Sequence, residues 1–533
     1  MPNTFSKSIG HKRIYSVIKM ETDFLVIGSG IAGLNFAIKA AGRGNVLLIT
    51  KAQLKEANSF YAQGGLAAVF GKDDSVKDHV RDTLRAGDGL SNRKMALILA
   101  KEAPARIKEL EKMGVKFNKA KDDFKLSREA VHSRARIVHA SDITGRRIEE
   151  ALVKKAEKAK KITILEHHMA ISLITAKKRC IGSRVISIKD NKIIDIFANN
   201  TILAAGGIGC LYEKTTNPDI STGDGIALAF RAGAVLEDME FIQFHPTMLH
   251  NSNPPFLISE TLRGEGALLK NSKGKAYMKK YHRDGELAPR DVVARFSEVE
   301  MKKTHAKNIF LDITHLDSKY LKKRFPNIYE ECLKYKIDIT KQMIPVSPAA
   351  HYICGGIKAD SYGRTSIKNL YAIGECACTG LHGADRLASN SITEGLVVGA
   401  RLAKKLAGGR IAKKKLDKIR LAKEKNGRLD KMKKQLQKIM WSNVGIIRNK
   451  KGLNSALEKI KKIEARLRVI KKKKVNEKIV ELENMLLVGK IIAIAASRRK
   501  ESRGTHFFQE YHERYDNIWQ RHLLIDKEHY KLR

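Results

Sequence analysis

Cysteine is scarce and unpaired in pattern. The chain has six cysteines in 533 residues, Cys180, Cys210, Cys332, Cys354, Cys376 and Cys378. They form no CxxC pair and no zinc spacing, which excludes a disulfide framework and leaves no metal expected. Reduced, buried thiols in a cytoplasmic protein are the expectation, with Cys376 and Cys378 as small packing residues. No run approaches the roughly 18 apolar residues of a membrane helix, so no membrane span is expected. The opening "MPNTFSKSIGHKRIYSVIKM" lacks an apolar h-region and is not a secretory signal. Residues 1–20 are read as a disordered extension ending just before the first strand. Acidic residues are also short, 57 against 102 Lys+Arg, for a net charge of +45. Such charge can serve nucleic acid or anionic membranes. Here the lysines are spread out, densest between Lys404 and Lys474, with few aromatics among them. They read as a solvated surface, with no specific nucleic-acid partner.

What is present starts with "DFLVIGSGIAGLNFAIKAAGRGNVLLIT" (23–50). It reads as strand, glycine turn, helix, strand. Gly28, Gly30 and Gly33 form GxGxxG: a tight turn, an approach for a pyrophosphate, and close helix packing. The helix N-terminus then offers free N–H groups to phosphate. An acid usually ends the second strand in NAD-binding folds. Thr50-Lys51 stand there instead, which argues against NAD and sets a lysine near phosphate or ribose. "ANNTILAAGGIG" (198–209) and "NLYAIGECA" (369–377) read as returning strands of the same domain. FAD enzymes of the two-dinucleotide-binding type use such a late strand, and its acid, here Glu375, holds the ribityl chain. The expected fold is therefore an α/β, Rossmann-like FAD-binding domain (21–240 and 353–405). An α+β capping domain (241–352) is inserted in it. A linker (406–430) and a C-terminal helical domain (431–533) follow, the last from Lys-rich amphipathic patterns.

Taken together, "GSGIAGL", "SFYAQGGLAAVF", "TGDGIALAFRAGA", "FHPT", "LRGEGA", "GELAPRDVVAR", "PAAHYICGGI", "GLHGADRLASNS" and "SRRKESRGTH" make the chain resemble the succinate dehydrogenase/fumarate reductase flavoprotein family. The resemblance runs from about residue 21 to 510. It implies FAD contacts at Ser29, Gly30, Ile31, Ala32 and Lys51. Others would fall on Asn58, Ser59, Phe60, Tyr61, Ala62, Gln63, Gly64 and Gly65. Met169, Ala170, Asp224, Glu375, Asn390, Ser391 and Ile392 complete the set. Respiratory members carry the flavin on a histidine where Asn58 stands. Asn58 cannot form that bond, so dissociable, non-covalent FAD is expected.

The implied substrate is a C4 dicarboxylate, whose two ends demand cationic and hydrogen-bonding donors; planar arginine forks suit them. The matching positions are His245, Arg290, His351 and Arg386, with Gln243, Ser259, Glu260 and Ser389 nearby. The resemblance puts Arg290 beside the reacting bond. A guanidinium is hard to deprotonate, so pairing with Glu260 would ease a relay. Glu129, in the "SRE" context of members that oxidise an amino acid, would recognise the ammonium group. The next residues, Ala130-Val131, replace two glycines. The implied activity is oxidation of L-aspartate to iminoaspartate. Oxygen (giving hydrogen peroxide) or fumarate would accept the electrons. Iminoaspartate would pass to quinolinate synthase, opening NAD biosynthesis, in a monomer or weak homodimer. The alternative is a soluble fumarate reductase or succinate dehydrogenase flavoprotein subunit, against which Asn58 and Glu129 count. Within Thr379–Gly395, His382 and Arg386 are expected on the substrate side. Ser391 and Glu394 stand at capping-box spacing, at a helix start aimed at the flavin. Asp385 stands where the family usually has asparagine.

Overall fold

The computed structural model describes residues 18–417, 419–422, 427–471 and 474–528. Its main sheet has seven strands. Strand β1 (Ile18–Ile27) leads through helix α1 (Ile31–Ala40) to β2 (Val46–Ile49), and β3 (Ile162–Leu165) extends the sheet on that side. A meander of β4 (His168–Ala176), β5 (Arg179–Ser187) and β6 (Lys192–Leu203) follows. The order is β3-β2-β1-β6-β5-β4, with the short strand Leu370–Ala372 also paired to β6. β1 pairs in parallel with β2 on one side and β6 on the other. The chain therefore reverses its direction of winding at β1, and a crevice opens beyond the carboxyl ends of β1 and β6, where ligands bind in open α/β sheets.

The first strand starts at Ile18, earlier than expected. Ile18–Met20 pair with Ile194–Ile196, because β6 runs on beyond the nucleotide fold and leaves an edge to be covered. The remaining residues of the expected extension, 1–17, lie outside the described residues. The run Phe24–Ile27 is buried on both faces, as a parallel strand between layers must be.

Two glycines fix the turn after β1. Gly28 has φ +115°, and a Cβ on it would meet the Ala204 carbonyl oxygen at 2.1 Å. A Cβ on Gly33 would meet the Gly28 carbonyl oxygen at 2.2 Å. The turn is thus pinned between the ends of β1 and β6 and the first turn of α1.

Between β6 and Leu370 the chain leaves the sheet. Helix α2 (Asp224–Ala232) packs against β4, and a second sheet then forms from β7 (Ile242–Leu249), β8 (Leu268–Lys270), β9 (Ile309–Asp312) and β10 (Ile344–Ile353), in the order β7-β10-β9-β8. Helix α3 (Arg290–Lys303) packs on β7 and β10. This unit has its own core, including Leu249, Leu269, Val293, Leu311 and Phe325. Helix α4 (Asn390–Lys405) returns to pack on α1. Helices α5 (Arg428–Val444), α6 (Lys450–Lys471) and α7 (Glu477–Arg498) form the C-terminal unit. α7 is buried on more than one face, since it lies against α2 as well as α5 and α6.

Arg136, Arg448, Arg499 and Arg503 are almost wholly buried and hydrogen-bonded; Arg136, for example, bridges Asp74 at 2.8 Å and Asp82 at 2.6 Å. The planar guanidinium fork satisfies several acceptors at once in a fixed geometry. Among the described residues no helix is long and apolar enough to cross a membrane.

Gly33→Ala is expected to cost about 1–3 kcal/mol by forcing α1 off the Gly28 carbonyl. Gly42→Ala, whose Cβ would meet only the Lys39 carbonyl at 4.0 Å, serves as the neutral control. Thermal unfolding of the two variants beside wild type checks this.

Candidate active site

One continuous cavity runs from the glycine turn to the capping sheet. At the nucleotide end, residues 28–32 form its floor with Lys51, Asn58 and Ser59. The N-terminus of α1 carries no side-chain cap of its own; the Ile31 amide donates to Ser59 Oγ at 3.1 Å. Lys51 is held by Thr222 (2.7 Å), Asp224 (2.8 Å) and Glu481 (2.8 Å). Asp224 also accepts from Asn484 at 2.7 Å, so α7 of the helical unit anchors this end of the cavity. Glu375 accepts from Asn58 at 3.1 Å, and burial pushes its carboxyl up to about 7.

Residues 61–65 also line the cavity, as do Ser391 and Ile392, and Met169 and Ala170 line it just beyond His168, whose amide donates to the Thr50 carbonyl at 2.8 Å. A Cβ on Gly65 would meet the Val138 carbonyl oxygen at 2.3 Å, so the chain there must be bare. Gln63 donates to the Leu257 carbonyl and leaves its buried Oε1 without a partner among the described residues. A long cavity with a glycine-capped helix N-terminus at one end and an unmet polar atom on its wall, Gln63 Oε1, fits a dinucleotide such as FAD.

The other end is cationic. Arg290 is the first residue of α3, and its Nη1 donates to Gln243 Oε1 at 3.0 Å. Arg386 donates to the same oxygen from Nη2 at 3.1 Å and Nε at 3.3 Å. Glu260 accepts from Arg290 Nε and the Ala130 amide (3.0 Å) and forms an ion pair with Arg263, whose Nη2 lies 3.1 Å away. Burial alone would raise its pKa, yet Arg290 and Arg263 bring it down to about 2. His245 on β7 and His351 on β10 meet edge-on, ring centres 5.1 Å apart. His245 Nδ1 accepts the Thr247 amide at 3.2 Å, so its neutral ring carries the proton on Nε2. Burial pushes both histidines well below their ordinary value; Arg290 adds to the effect at His245 and Arg386 at His351. Both are neutral at pH 7.

Glu129 enters from a separate loop. Its carboxylate accepts from Ser389 Oγ at 2.7 Å and Thr261 Oγ1 at 3.5 Å, and Gly64 leaves it room, since a Cβ there would lie 2.9 Å from Glu129 Oε1. Burial and Glu260 raise its pKa, while Arg290, Ser389 and Arg386 oppose them. Ser389 itself has φ +62° and Val131 φ +68°. Left-handed backbone at a β-branched residue such as Val131 costs about 1–2 kcal/mol.

Most expected site residues share this cavity, Ser259 among them, but several do not line it. Gly33 packs on Gly28, and Phe60 packs against Tyr61 with Arg146 on its ring. Gln243 lies behind the two arginines. Asn390 is buried away from the cavity, bonded to His79 at 2.9 Å and Thr83 at 3.1 Å. His382 does not face the substrate end; its Nε2 meets Glu394 at 3.0 Å and Tyr352 at 3.1 Å. Glu394 forms no capping box with Ser391, because Thr379 and His382 take its two oxygens. Asp385 accepts from Gln243 Nε2 at 2.5 Å rather than pairing with Arg386. Burial and neighbouring Asp291 raise its pKa well above the usual carboxylate range. Sequence reading missed Tyr352, on whose ring Arg386 stacks at 4.1 Å, and Thr216, 2.8 Å from His351 Nδ1. The polar run "TTN" at 215–217, buried in the structure, was the available signal.

Comparison with known proteins agrees with this geometry. The family described as FAD binding domain matches residues 23–392, and the fumarate reductase flavoprotein C-terminal family matches 433–533. The chain is 41% identical to L-aspartate oxidase of Yersinia pestis over 519 residues, 93% of this chain and 97% of that one. It is also 41% identical to the chloroplastic L-aspartate oxidase of Arabidopsis thaliana, covering 92% of this chain and 81% of the other. Among solved structures, a mutant of E. coli quinol fumarate reductase superposes with a TM-score of 0.87 at 28% identity, over 95% of this chain and 94% of that one. With a dinucleotide cradle at one end of its cavity and two buried arginines at the other, the chain belongs to the L-aspartate oxidases of the FAD-dependent succinate dehydrogenase/fumarate reductase family.

Proposed function

We propose that this protein oxidises L-aspartate to iminoaspartate with dissociable FAD, passing the electrons to oxygen or fumarate. FAD, when bound, supplies the two-electron acceptor. The observation that carries the substrate reading is the pairing of two buried arginines, Arg290 and Arg386, on one amide oxygen of Gln243, with Glu129 in the same cavity. Two guanidiniums that an amide cannot neutralise attract a ligand with two carboxylates. Arg386 takes one carboxylate, with His351 beside it. His245, a neutral Nε2–H donor, and Arg290 take the other. Glu129 accepts the ammonium group, a role that succinate has no use for. Arg290, kept charged by Glu260, fixes the carboxylate beside the reacting carbon. Clamping both ends holds the Cα–H in one orientation, which supplies much of the rate. The relatives' names support the oxidase activity, and hand-off of iminoaspartate to quinolinate synthase belongs to the same proposal as what the family resemblance implies.

Added anaerobically to the FAD-loaded protein, L-aspartate is expected to bleach the flavin absorbance near 450 nm far faster than succinate. Bleaching by succinate alone would make this a succinate dehydrogenase, and no bleaching by either would remove the oxidase assignment. Glu129→Gln is expected to raise KM for L-aspartate about 10–100-fold, the worth of one charged hydrogen bond, while fumarate reduction changes little. Equal losses on both substrates would show that Glu129 does not read the ammonium group. Acid precipitation is expected to leave all the yellow colour in the supernatant, as Asn58 requires; a yellow pellet would contradict it.

A further inference from the structure

Glu149 is used by nothing described so far. It sits on the helix Thr144–Glu157 with no solvent exposure. Its Oε2 lies 2.7 Å from Ser59 Oγ, and its Oε1 has no partner among the described residues. Ser59 in turn is the acceptor of the Ile31 amide at the N-terminus of α1 and lines the nucleotide end of the cavity. A carboxyl with no cation bonded to it is thus one hydroxyl away from the phosphate cradle.

A serine hydroxyl has one hydrogen. If Glu149 is ionised, its carboxylate takes that hydrogen, and Ser59 shows only lone pairs to a phosphate. If Glu149 is neutral, its own O–H can donate to Ser59, and the serine hydrogen is free for a phosphate oxygen. We propose that Glu149 is a positioning residue for the FAD pyrophosphate, turning the Ser59 hydroxyl into a donor when protonated, so that FAD binding is linked to one proton. The proposal rests on the FAD reading of the cavity.

The surroundings favour the neutral form. Burial, with Glu56 adding to it and Ser59 opposing, pushes the Glu149 carboxyl up to about 8. The facing groups are few. Tyr61 on the same loop stays a neutral phenol, raised to about 12. Arg146, one turn earlier on the helix, lies over the Phe60 ring at 5.2 Å. Lys39 on the neighbouring α1 is taken by Glu109 at 2.6 Å. Glu375, elsewhere in the cavity, titrates lower, at about 7. The sign follows: FAD prefers the protonated form, so affinity is full below the Glu149 pKa and falls as pH rises through it.

The test is FAD affinity of the apoprotein, read by quenching of flavin fluorescence between pH 7 and 9. Wild type is expected to bind about tenfold more weakly at pH 9 than at pH 7, the fall lying above pH 8. E149Q keeps a permanent donor to Ser59 and is expected to bind at pH 9 nearly as at pH 7. S59A cuts the link, so it is expected to bind more weakly than wild type at pH 7 and to lose the fall above pH 8. Retention of the wild-type fall in both variants, or in S59A alone if E149Q does not fold, overturns the proposal. A flat wild-type curve overturns it while leaving FAD binding intact. Failure of wild type to take up FAD at pH 7 overturns the cofactor reading, and this inference with it.

Discussion

Three N–H bonds converge on one oxygen. Gln243 Oε1 accepts from Arg290 once and from Arg386 twice. Its Nε2 must then face the other way, toward Asp385 Oδ1 at 2.5 Å and the Arg386 carbonyl at 2.9 Å. The amide cannot flip without setting its own N–H against a guanidinium. Two like charges are thereby held together in a buried site, an arrangement tolerable only with nearby anions. Glu260 provides one such anion, ionised because Arg290 and Arg263 outweigh its burial. The remaining positive charge faces the cavity, and much of the capping unit serves to hold it there.

The scaffold reaches this point from three directions. β7 brings Gln243 and His245, α3 begins on Arg290, and the loop into α4 brings Asp385 and Arg386. β7 and β10 pair with a register shift between His245 and Met248, at Pro246, which has no N–H for the ladder. The two histidines, on neighbouring strands, meet in the cavity. Their neutrality follows first from burial and then from the arginines, beside which a protonated imidazole would be repelled. At the far end Lys51, Asp224 and Glu481 tie the nucleotide cradle to α7, which gives the helical unit a part in shaping the cofactor site.

What the sequence disclosed follows the range of the interaction. The glycine turn was legible because its requirements lie within six residues and a neighbouring strand end. The cavity set was legible through motif resemblance. His382, Asn390 and Glu394 were not, because a polar residue in a mixed loop can face either side of the chain. Their partners, Tyr352, His79 and Thr379, sit on other elements and decide the matter. Ser389 at φ +62° turns the loop so that its hydroxyl reaches Glu129 while Asn390 points inward. Ile18–Met20 were misjudged for a similar reason: their pairing edge belongs to a strand 176 residues later, at Ile194–Ile196.

The central claim is that the paired arginines demand two carboxylates on the ligand. Calorimetric titration of the FAD-loaded protein with succinate and with its monoamide tests this without any reaction being required. The account predicts that loss of one carboxylate weakens binding by about 10–100-fold, as expected for a charge-assisted pair. Equal affinity for the two ligands would contradict it.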